Sequence, residues 1–74
     1  MTVRGMVVEV RAKSITELEL LAIMDQTGDR WEFYADGFAG FTPAHLREHQ
    51  AFGQPVTVTY RETRDGLLVV GLAD

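Results

Sequence analysis

Residues 42–53, Thr-Pro-Ala-His-Leu-Arg-Glu-His-Gln-Ala-Phe-Gly, describe one short helix with both of its ends marked. Thr42 is a suitable N-cap, since its hydroxyl can accept from an amide that the first helical turn leaves unpaired. Pro43 follows in the first turn, where a missing N–H costs nothing and the fixed φ suits a helix. Phe41 before the cap and Leu46 at the fourth helical position have the spacing of a hydrophobic staple. Gly53 supplies a left-handed stop. A helix is therefore expected over 43–51, and the segments on either side read as strands.

Residues 3–11 alternate, with Met6, Val8 and Val10 on one face and Val7, Glu9 and Arg11 on the other. Gly5 can let this strand bend sharply. Residues 15–25 are ambiguous. Ser14 followed by Glu17 matches a capping box, and the composition favours helix. At helical spacing, however, the apolar residues point all round the cylinder. At period two, Leu18, Leu20, Ala22 and Met24 line one face, and the segment runs into the hairpin loop Asp25-Gln26-Thr27-Gly28-Asp29. The strand reading is the better one. Residues 30–35 form a third strand with Trp31 and Phe33 on one face. After the helix, Val56, Val58 and Tyr60 alternate in a fourth strand that Pro55 opens. Arg64-Asp65-Gly66 turns the chain into a fifth, Leu67 to Leu72. The core expected from these patterns is Met6, Val8, Val10, Leu18, Leu20, Trp31, Phe33, Leu46, Val56, Val58 and Val69.

The order is three strands, a helix, then two strands. This is the order of an oligonucleotide/oligosaccharide-binding (OB) barrel, whose helix joins strands three and four and plugs one end. Closure removes the edges that an open five-stranded sheet would expose. An SH3-like barrel is the main competitor, but its helical turn usually falls between the last two strands. The expected fold is thus mostly β: a five-stranded OB-like barrel with one short helix, over a single domain, residues 1–74. The chain resembles short, single-domain bacterial OB-like proteins in Gly-Phe-Thr-Pro-Ala-His-Leu-Arg-Glu-His at 40–49, Pro-Val-Thr-Val-Thr-Tyr at 55–60 and Gly-Leu-Leu-Val-Val at 66–70. That resemblance implies a fold and brings no known active site with it.

Composition narrows the functions. With 74 residues there is room for one core only, and a domain of this size buries only about 60% of its unfolded surface. No cysteine is present, which excludes disulfides, thiolate catalysis and cysteine-held zinc. No apolar run is long enough to span a bilayer, and the charged, alternating N-terminus is unlike a signal peptide; the expected location is the cytoplasm. Seven basic against eleven acidic side chains give a net charge of −4, which argues against nucleic acid as a partner, because phosphate neutralisation drives that affinity. Glu17, Glu19 and Glu32 would make the usual OB nucleic-acid face acidic.

Candidate chemistry centres on the helix. His45 and His49 are four residues apart and project from one face, a spacing at which two imidazoles can share a divalent transition-metal ion. Two ligands do not complete a site, and Glu48 is expected to point elsewhere. The plainer reading makes both histidines hydrogen-bonding residues of the helix surface. His-Leu-Arg-Glu-His resembles the His-x-x-Glu-His pattern of inverted zincins, but those proteins are far larger and take a third ligand from a second helix. Phe38 and Phe41, on the loop before the helix, are candidate ligand-binding aromatics. No nucleophile–base constellation stands out, so an enzyme is not expected. His45 with Asp36 is the nearest approach to one, and Asp36-Gly37 reads more simply as a turn.

The last signal is apolar sequence on both faces of strands. If Leu18, Leu20, Ala22 and Met24 face inward, Leu21 and Ile23 face outward beside Tyr34. A contiguous outward apolar set marks an interface, so Leu21, Ile23 and Tyr34 are the expected centre of a homodimer or of a contact with a protein partner. The leading expectation is a non-enzymatic binding module acting through protein–protein contact or self-association. The alternative is ligand, metal-ion or single-stranded nucleic-acid binding through the loop and helix at 36–49.

Overall fold

The computed structural model describes all residues from 1 to 74. Five strands and one helix follow in the expected order: β1 (Thr2–Ala12), β2 (Leu18–Met24), β3 (Arg30–Tyr34), α1 (Pro43–Phe52), β4 (Pro55–Thr63) and β5 (Gly66–Ala73). The strands close into a barrel in the order β1-β2-β3-β5-β4, with β4 returning to β1. All neighbours are antiparallel except β3 and β5, which run parallel through Phe33↔Leu67 and Tyr34↔Leu68. This is the closed, OB-like architecture with the helix between β3 and β4. No helix is long and apolar enough to cross a membrane.

Closure depends on β1, which pairs with β4 through Thr2 to Met6 and with β2 from Met6 onward. The strand must change partners within a residue or two, and Gly5 is where it does so. A Cβ built at Gly5 would lie 2.5 Å from the Met24 carbonyl oxygen and 2.9 Å from its carbon. Only glycine lets the two backbones approach so closely.

Residues 15–25 resolve as a strand from Leu18 onward. The Ser14/Glu17 signal is real but serves a turn. The Glu17 amide donates to Ser14 Oγ at 3.0 Å, and the Lys13 amide donates to the Glu17 carbonyl at 2.9 Å. The same local hydrogen bond that caps a helix here closes a loop, because the apolar residues beyond it pair into a sheet.

The inward faces of β1 and β2 differ from those expected, although Leu18 and Ala22 do face inward. Val7, Leu18, Leu21, Ala22 and Ile23 are buried, whereas Met6 and Met24 are each 40% exposed and Val8, Val10 and Leu20 are half-buried. Two β-bulges account for this. Val7 pairs with Ile23 and Glu9 with Ala22, which leaves Val8 as an extra residue on β1. Arg11 pairs with Leu20 and Ala12 with Leu18, which leaves Glu19 extra on β2. Each bulge shifts the alternation by one, so every residue beyond it changes face. Leu21 and Ile23, expected at a dimer interface, are therefore core residues with no exposed surface at all. Tyr34 is half-buried and its hydroxyl shares a hydrogen bond with Thr63 Oγ1 at 2.7 Å.

The remaining core is as read for Leu18, Phe33, Leu46, Val56, Val58 and Val69, all buried. Trp31 is only half-buried; it packs against that core, and its ring meets Tyr60 at 5.6 Å between centroids. Tyr60 itself is buried against Phe33. Arg30 is held within its own chain, by Glu9 at 2.7 Å and Glu32 at 3.1 Å.

Candidate metal centre

The helix is built as its punctuation implies. Thr42 is extended, and its hydroxyl accepts from the His45 amide at 3.2 Å. Gly53 adopts the left-handed conformation at φ 64°, and the Gln54 amide donates to the His49 carbonyl at 2.9 Å. Leu46 and Pro43 are fully buried beneath the helix. These anchors fix the rotation of α1 about its axis. His49 is thereby drawn to 6% exposure, while His45, one turn earlier, stays open to solvent. Phe41 lies against both imidazoles, with centroids at 4.3 Å from His45 and 5.8 Å from His49.

A third side chain joins them. Asp74 follows β5, and the β4–β5 pairing of Ala73 with Thr57 brings it beside the start of β4, where α1 ends. Asp74 Oδ1 lies 2.7 Å from His49 Nε2 and 3.6 Å from His45 Nε2, and the two Nε2 atoms are 3.2 Å apart. The three donor atoms thus converge on one point. Donors sharing one ion at about 2.0–2.2 Å stand roughly 3.0–3.5 Å from one another. The 3.2 and 3.6 Å separations lie near that range, whereas the 2.7 Å between His49 and Asp74 is a hydrogen-bond distance that an ion would widen.

The protonation pattern sharpens this picture. His49 Nδ1 lies 3.3 Å from the Gln54 carbonyl oxygen. A carbonyl only accepts, so Nδ1 carries the proton and donates. His49 Nε2 lies within hydrogen-bond distance of a carboxylate oxygen, at 2.7 Å, and of a second imidazole nitrogen, at 3.2 Å. Donation from the far ring nitrogen to a backbone carbonyl is also how metal-bound histidines are usually oriented.

Around this cluster is an open, polar hollow of about 340 Å³, lined by Arg4, His45, Glu48, His49, Gln54, Pro55 and Asp74. Glu48 borders the hollow after all, although its carboxylate is outside the three-donor cluster. Phe41 backs the imidazoles. Phe38 is exposed on its loop and does not line the hollow, and Asp36 is also exposed and takes no part.

The sequence identified the two histidines but not Asp74. No local spacing connects residue 74 to residue 49. The available signal was the register of the last hairpin, counted back from the Asp65-Gly66 turn and corrected for a bulge at Val70.

The opposite side of the barrel has a hollow of about 250 Å³ beside β2, β3 and the last hairpin. Its ionisable side chains are Glu32 and Asp65 together with the Tyr34 phenol, with no cation among them. Comparison of the chain with protein families, with curated proteins and with solved structures finds no match.

Proposed function

We propose that this domain is a non-enzymatic binding module whose ligand is a divalent transition-metal ion of the zinc class, held by His45 Nε2, His49 Nε2 and Asp74 Oδ1. The observation that carries the reading is the convergence of His45 Nε2, His49 Nε2 and Asp74 Oδ1, which lie between 2.7 and 3.6 Å from one another. Two imidazoles and a carboxylate form a donor set suited to zinc, copper, nickel or iron, and poorly suited to calcium or magnesium. The hollow around the donors contains no serine, threonine or lysine nucleophile, which favours binding over covalent catalysis. The acidic hollow on the opposite side speaks against nucleic acid as the ligand. Self-association was argued from Leu21 and Ile23, and their burial removes that ground.

The test is calorimetry and thermal melting with Zn²⁺. An ion that binds only the folded state raises the melting temperature by mass action, and at a hundredfold excess over Kd it adds about 2.7 kcal/mol. His45→Ala, at a half-buried position on the helix surface, and Asp74→Asn should each abolish the shift without unfolding the domain. A melting curve unmoved by millimolar Zn²⁺, Ni²⁺ or Cu²⁺ would sink the proposal.

A further inference from the structure

Three protein donors leave a zinc-class ion with an open coordination position, the arrangement by which such sites admit an exogenous ligand. Asp74 is largely exposed and His45 half-buried, so the donor cluster opens to solvent across the hollow. The wall of the hollow includes Arg4 on β1. One guanidinium nitrogen of Arg4 donates to Thr57 Oγ1 at 2.7 Å, which tethers the side chain to β4. Arg4 forms no ion pair with any carboxylate of the chain, in contrast to Arg11 and Arg30. A tethered, unpaired guanidinium beside an ion with an open position makes a two-point receptor for an anion. Charge sets the class of ligand. A divalent ion and Arg4 both bring positive charge to the hollow, which favours an anionic ligand. The fork of N–H groups on arginine matches the paired oxygens of a carboxylate.

We propose that the metal-loaded site binds a small monocarboxylate, with one oxygen on the ion and the other on the Arg4 guanidinium. This rests on the metal reading above. The main competitor for the open position is Glu48, which borders the same hollow on the helix.

The experiment uses Co²⁺ as a visible stand-in for zinc and acetate as the anion. Titration of the protein with Co²⁺ comes first. If no visible band develops, the metal reading itself fails. If the bands form, acetate is titrated into the cobalt-loaded protein, with chloride as the single-atom control anion. Acetate should change the band positions saturably, and chloride should do so much more weakly. Arg4→Gln removes an exposed side chain with one exposed hydrogen bond, so the fold is retained. This variant should bind Co²⁺ as the parent does but take acetate about tenfold more weakly, the loss expected for one charge-assisted hydrogen-bonded contact. Equal acetate affinity in Arg4→Gln, or bands indifferent to acetate, overturns the proposal and leaves the metal site standing. Bands that respond to acetate only in Glu48→Gln also overturn it, and identify Glu48 as the fourth ligand.

Discussion

Asp25 shows how one carboxylate organises the β2–β3 turn. Its Oδ1 accepts from the Thr27 amide, the Thr27 hydroxyl and the Asp29 amide, and its Oδ2 accepts from the Trp31 indole at 2.8 Å. The indole bond is the largest cause that lowers its pKa, followed by the Thr27 hydroxyl, and together with the backbone donors they bring it from 3.8 to about 2. Each of these donors favours the charged form. A folded-state pKa below the unfolded value means that the stabilisation is fully present above the ordinary carboxylate range. It is lost as pH falls from about 4 through about 2. An NMR titration should therefore place the Asp25 midpoint near 2, and Trp31→Phe should move it back toward the ordinary range. A wild-type midpoint at the ordinary value would mean that the indole bond is absent in solution. Glu9 is likewise held below its usual value, chiefly by its hydrogen bond to Arg30. That pair is exposed, so salt should weaken it with little effect on the fold.

Among the elements, β1 and α1 each depend on one small residue. At Gly5, both atoms that a methyl group would strike belong to the Met24 backbone. A backbone cannot rotate out of the way as a side chain can, so β1 and β2 must separate. Gly5→Ala should cost about 1–3 kcal/mol, in the range of overpacked interiors, and a urea melt will measure it. A neutral result would show that β1 bends elsewhere. For α1, Thr42→Ala removes the acceptor of the His45 amide and should cost about 1 kcal/mol. The same substitution frees the turn that carries His45, so zinc affinity should fall with it. A cap worth less than a few tenths of a kcal/mol would mean that Leu46 and Pro43 alone hold the helix.

For the barrel as a unit, the decisive side chains are those at its centre. Val58 and Ile23 have no exposed surface, and a charge placed at either has no partner. An unpaired buried charge costs several kcal/mol, comparable to the entire stability of a domain. Both Val58→Asp and Ile23→Glu should therefore lose the dispersed NMR spectrum of a folded protein. The Ile23 variant distinguishes two views of β2. If it stays folded and merely changes the mass seen by light scattering, Ile23 lies on a surface and the bulged register is wrong. Asp74 also acts at this level. Its link to His49 ties the end of β5 to α1, so a bound ion would join the last strand to the plug of the barrel.

The fold was legible because its signals are local. Caps, a proline and a terminal glycine at 42–53 mark the helix, and period-two patterns on either side count the strands. Together these allow one closed order. Which face of a strand points inward is not local. It depends on how β1 and β2 pair, and bulges at Val8 and Glu19 reverse the alternation without any glycine or proline to announce them. Hence Met6 left the expected core, Met24 left the expected inward face of β2, and Leu21 and Ile23 entered the core. The candidate site divides in the same way. His45 and His49 are one helical turn apart and could be read directly. Asp74 reaches them only through the register of the last hairpin, and the orientation of the His49 ring becomes visible only with its contact to the Gln54 carbonyl. Sequence periodicity reports what each residue does within its own element. Contacts between distant elements are set by closure of the barrel, where a one-residue shift changes every neighbour beyond it.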